Sequence, residues 1–121
     1  MIYIFEKNRG VSIIITLMIS LIIFYVSSLS FTAGGGKSSV AVIYHFTAFS
    51  YLSLFLLISL TKGKLNKSLI ILGIILVIIY GITDEIHQLF VSGRFFSIKD
   101  ILTDSFGSII TGLAYMNYIK E

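Results

Sequence analysis

The sequence contains no cysteine, which excludes disulfides and thiolate-bound metals, and no proline, so no helix is kinked by a pyrrolidine ring. Tryptophan is missing too, which leaves interfacial anchoring to tyrosine and phenylalanine. Charge is scarce. Asp, Glu, Lys and Arg make up 12% of the 121 residues, about half the share found in a soluble domain. The net charge of +3 comes from scattered basic residues rather than a nucleic-acid patch. Strand-like alternation is also lacking. What remains is apolar: 56% of the chain is hydrophobic and the mean hydropathy is +0.98. A soluble chain this short exposes too large a fraction of its surface to hide that much apolar side chain. Lipid is the expected solvent.

Four apolar stretches, near 11–31, 40–60, 69–90 and 101–119, approach the roughly 20 residues that span a bilayer core of about 30 Å. Backbone in lipid must satisfy its own hydrogen bonds, so the stretches read as helices. Residues 1–121 are expected to form a single all-α domain, a four-helix transmembrane bundle with short connections at 32–39, 61–68 and 91–100. The fourth stretch is the least apolar and carries Asp104, Ser105, Ser108 and Thr111. The first is too long for a signal-peptide core of 7–15 residues, so it is read as a retained span.

Basic residues set the orientation. With the N-terminus in the cytoplasm, Lys7, Arg9, Lys62, Lys64, Lys67 and Lys120 lie inside, and only Lys37, Arg94 and Lys99 lie outside. That distribution favours both termini in the cytoplasm of a multi-pass cell-membrane protein. The lysine-rich connection at 61–68 is then a topology determinant and a contact for anionic lipid.

Under this topology the ionisable residues gather near the outer face. Asp84 lies about 22 Å along the third helix from its inner start, at 1.5 Å per residue. His45 is close to the outer start of the second helix, Asp100 and Asp104 open the fourth, and Ser27, Ser28, Ser30 and Thr32 close the first. On a helical wheel Gly73, Val77, Gly81, Asp84, Glu85 and Gln88 share one face of the third helix. Asp100, Asp104, Gly107, Ser108 and Thr111 share one face of the fourth. Glycine rows mark close helix packing in lipid, so both acidic faces are expected to point into the bundle. His87 points away from Gln88 and is the weaker of the two histidines as a site candidate. Intramembrane ionisable groups are costly, so a cluster of them marks a candidate site.

The run Asp84-Glu85-Ile86-His87-Gln88, then Gly93-Arg94, Asp100, Asp104 and Gly107, resembles the signature of VanZ-like membrane proteins. That signature reads Asp-Glu-x-x-Gln, a Pro-Gly-Arg turn, then Asp and a later Asp or Asn with glycine. His45-Phe46 is similar to the His-Phe pair of an earlier span in that family. The likeness covers about 30 residues of the third and fourth helices plus this pair. Ser92 stands where proline is common, and Gly107 and Gly112 are five residues apart instead of the four that keep one helix face. The founding member of the family is associated with resistance to glycopeptide antibiotics, notably teicoplanin. The resemblance therefore implies a role near the cell envelope or its lipid-linked precursors.

Three functions compete at this point. In the first, His45, Asp84, Glu85, Gln88, Arg94, Asp100 and Asp104 bind the polar headgroup of a membrane lipid or lipid-linked envelope precursor, with Arg94 on a phosphate. In the second, the acids hold a divalent cation, magnesium or calcium, and His45 acts as base in a metal-assisted hydrolase or transferase acting on lipid phosphate. No nucleophile beside a base supports the second. A proton-coupled carrier is the third, and the nearly uncharged inner halves of the spans leave it without a relay. A homo-oligomer is compatible with four short helices, and no motif specifies one.

Overall fold

The computed structural model describes residues 1–29 and 39–120. Ser30, Phe31, Thr32, the three consecutive glycines and Lys37 lie outside the described residues. Among those described there are five helices and no strand: α1 (Ile2–Lys7), α2 (Arg9–Ser27), α3 (Ser39–Thr61), α4 (Lys67–Gln88) and α5 (Ile98–Lys120). Helices α2, α3 and α4 are long and apolar enough to cross a membrane. At 23 residues α5 has the length, but it is less apolar. Sequence periodicity did not reveal α1, a six-residue helix too short to register as an apolar segment.

The termini of these helices define two ends of the bundle. At the acidic end are the C-termini of α2 and α4 and the N-termini of α3 and α5. The basic end carries Lys7, Arg9, Lys62, Lys64, Lys67 and Lys120. Between the ends lie two apolar clusters, Ile23, Phe49, Leu52 and Val77 nearer the acids, then Leu57, Ile58, Ile70 and Tyr115. At the basic end α1 folds back onto the bundle. Phe5 meets Phe55 edge-on at 5.2 Å, Ser12 Oγ donates to Phe5 O at 2.7 Å, and Arg9 Nε donates to Ser59 O at 3.1 Å. Tyr115 Oη donates to Glu6 Oε1 at 2.9 Å and contacts Thr61 Oγ1 at 3.2 Å, binding α1, α3 and α5 together.

Helix α3 runs close beside α5 because small residues line the seam. A Cβ added at Gly107 would stand 2.9 Å from the backbone oxygen of Phe46. Ser53 Oγ donates to Ser108 O at 3.3 Å across the same seam. The five-residue step to Gly112 rotates the helix by about 140° beyond a whole turn, and Gly112 accordingly packs on Ile74 of α4. The unusual glycine spacing thus serves two neighbours. It also moves the buried stripe of α5 onto Gly112 and Tyr115, leaving Thr111, expected on the inward face, half-buried.

Helix starts are fixed locally. Asn66 Oδ1 accepts from Leu69 N–H at 3.1 Å and caps α4. Asn66→Ala should lower stability by about 1 kcal/mol, measured as a reduced unfolding midpoint in detergent; an unchanged midpoint would mean that the cap contributes nothing there. The third span, read from the sequence as 69–90, begins two residues earlier at Lys67 and ends at Gln88, with Leu89 and Phe90 in a turn. In the α4–α5 connection Arg94 N–H bonds Val91 O at 3.2 Å and Gly93 takes φ +77°. This is the left-handed position that glycine fills in a type II turn, and the preceding position, here Ser92, is the one proline suits.

Candidate functional site

The acidic end is built from side chains of three helices and one loop. Helix α4 supplies Asp84, Glu85 and Gln88 on the face shared with Gly73, Val77 and Gly81, and every one of these residues is buried. Gly81 lets α5 approach: a Cβ there would lie 3.2 Å from Asp104 Oδ2. Helix α3 contributes His45 two turns from its start, and α5 contributes Asp100 and Asp104. Glu85 is 0% and Asp104 1% exposed, which is unusual for carboxylates.

The polar contacts are continuous. His45 Nδ1 is 2.8 Å from Asp104 Oδ1, and Nε2 is 3.6 Å from Asp100 Oδ2. Gln88 Nε2 donates to Asp84 Oδ2 at 3.3 Å and to Glu85 Oε1 at 3.2 Å, while its Oε1 accepts from Arg94 Nε at 3.3 Å. The other oxygen of Glu85 accepts the Ser97 backbone N–H at 2.9 Å, and Ser97 Oγ accepts from Asp100 N–H at 3.2 Å. Ser97 thereby joins the two halves of the cluster and caps α5. All seven residues singled out from the sequence, His45, Asp84, Glu85, Gln88, Arg94, Asp100 and Asp104, belong to this one network. Asp100 and Arg94 are half-buried at its rim and the other five lie beneath.

Neighbouring groups complete the layer. Phe49 lies parallel to the His45 ring at 6.3 Å, and Tyr44 meets that ring edge-on at 5.5 Å. His87 turns aside from the acids, stacking on Phe24 at 4.5 Å with Nε2 2.9 Å from Ser28 Oγ, so it ties α4 to α2. Sequence reasoning missed Ser97 and Tyr44. Ser97-Ile98-Lys99-Asp100 does carry the spacing of a helix-capping box, a signal that was there to be found. Nothing in the sequence beyond adjacency to His45 marks Tyr44.

The arrangement can hold a cation with its carboxylates and imidazole, or engage a polar headgroup through Arg94 at the rim. His45, Glu85 and Asp104 each present a ligand atom, the three lying within 4.8 Å of one another. Apolar helices of spanning length around a buried polar layer define a helical membrane-type protein. The chain belongs to the VanZ/LLP1 family, whose description matches residues 1–119. Comparison with curated proteins and with solved structures gave no match.

Proposed function

We propose that this chain is a four-span envelope membrane protein whose outward-facing pocket binds the phosphate-bearing headgroup of a membrane lipid or lipid-linked precursor. The observation that carries this reading is the chain of bonds from Arg94 through Gln88 to Asp84 and Glu85. It holds a guanidinium at the rim, above a layer of buried acids. Guanidinium carries five N–H donors in a fork that matches phosphate, and the acids beneath suit the hydroxyls of a sugar-bearing headgroup. A groove of about 650 Å³ alongside supports a lipid ligand: Val42 and Phe46 of α3 face Leu102 and Phe106 of α5, with Lys99 at the end nearest the acids.

The fourth crossing is supported by the way α5 distributes its side chains. Asp104, Gly107 and Ser108 are buried, while Leu102, Phe106, Ile109, Ile110 and Leu113 face outward. Such a helix is polar inside and apolar outside, as lipid requires. Gathering six of the nine Lys and Arg residues at the basic end supports a cytoplasmic location for that end and for both termini. Binding of this kind would change the exposure of lipid-linked precursors, a route to teicoplanin-type resistance.

The test is binding of a polyprenyl phosphate to the protein in nanodiscs, followed by native mass spectrometry. Arg94→Ala should weaken binding about tenfold or more, since a charge-assisted hydrogen bond contributes roughly 1.5–3 kcal/mol. Arg94→Lys should recover part of that loss, because it keeps the charge and loses the fork. Equal affinity of the parent and Arg94→Ala would remove Arg94 from the assignment and the headgroup reading with it. Release of inorganic phosphate from the lipid would replace binding by hydrolysis.

A further inference from the structure

Among the described residues three buried side-chain oxygens have no hydrogen-bond partner: Tyr44 Oη, Asp84 Oδ1 and Asp104 Oδ2. Native proteins rarely bury such atoms, and all three belong to the acidic end. Asp84 and Asp104 are 5% and 1% exposed, so bulk water does not reach them freely. A cation would use the lone pairs directly.

The surrounding donor set is suited to a cation. Three buried carboxylates, Asp84, Glu85 and Asp104, share one buried imidazole, with Arg94 half-buried at the rim, an excess of acid that buried groups relieve by taking up protons or a cation. His45, Glu85 and Asp104 come from three different helices, and their ligand atoms lie within 4.8 Å. Three ligands around one ion at bond lengths near 2.1 Å stand about 3.5 Å from one another, so inward shifts of up to about 0.7 Å each would seat one ion among them. His45 Nδ1 and Asp104 Oδ1 already stand 2.8 Å apart, so an ion held by both residues would take the place of the proton between them. A nitrogen ligand beside two carboxylates favours manganese or zinc over calcium and magnesium, which take oxygen alone.

We propose that His45, Glu85 and Asp104 form a site for one Mn²⁺ or Zn²⁺ ion, with Asp84 as an adjacent carboxylate. The site does not depend on headgroup recognition and is tested without lipid ligand. Purified protein, stripped with a chelator, is titrated with Mn²⁺ and followed by electron paramagnetic resonance. One ion should bind per chain, Zn²⁺ should displace it, and pulsed spectra should show coupling to an imidazole nitrogen. Glu85→Gln and Asp104→Asn should each weaken binding more than about tenfold, and His45→Gln should abolish the nitrogen coupling. If a variant does not fold, the nitrogen coupling of the parent decides alone. Absence of bound Mn²⁺ and Zn²⁺ at millimolar concentrations would overturn the proposal, leaving ordered water as the partner of the orphaned oxygens. Bound Mn²⁺ without nitrogen coupling would overturn it as well.

Discussion

Gly107→Leu is expected to unseat α5 from α3 and to lower stability by about 2–3 kcal/mol, the upper part of the range for overpacked interiors. The obstacle is specific. A Cβ at this position would be 2.9 Å from Phe46 O and 2.9 Å from Ser50 Oγ. A flexible side chain could rotate away, but a backbone carbonyl moves only with its helix. The α3–α5 seam is also the most extensive helix pair in the bundle, so separating it disturbs both the His45–Asp104 contact and the apolar layers below. Tyrosine circular dichroism during thermal unfolding in detergent would report the loss. A midpoint equal to the parent's would mean that the two helices are not in contact at Gly107.

The second large effect is expected for Phe49→Ala. Phe49 is fully buried among Ile23, Leu52 and Val77 and lies parallel to the His45 ring. In water such a truncation costs 3–5 kcal/mol, partly because apolar surface leaves a solvent-free site. Lipid is as apolar as this core, so the transfer contribution largely vanishes and the cavity contribution remains. Removing on the order of 100 Å³ at about 24 cal/mol per Å³ gives roughly 2–3 kcal/mol. The same unfolding experiment measures it. A loss near zero would place Phe49 against lipid instead of in the core.

How much of this was legible beforehand follows from which forces are periodic. On α4 the wheel selected Gly73, Val77, Gly81, Asp84, Glu85 and Gln88, and all six are buried. One helix face is determined by local geometry and one packing partner, which spacing records directly. The shared depth of His45, Asp104 and Glu85 was legible too, because rise per residue converts sequence position into height. The pairing of His45 with Asp104 was not, since depth leaves rotation between helices undetermined. Nor was the bond from Ser97 N–H to Glu85, because a backbone donor in a loop leaves no residue-type signal. Glu6 was overlooked for a related reason: its partner Tyr115 sits in a distant helix, and no periodicity links them.

That bond also constrains how the protein is made. Glu6 and Tyr115 are 109 residues apart, so during synthesis the amino-terminal helix reaches the membrane long before its acceptor's partner leaves the ribosome. Helices α2, α3 and α4 can pair in turn, but the clasp at the basic rim closes only after α5 has arrived. Ribosomes stalled before codon 115 would therefore display α1 held by α2 and α3 alone, cleaved by proteases faster than in released full-length chains.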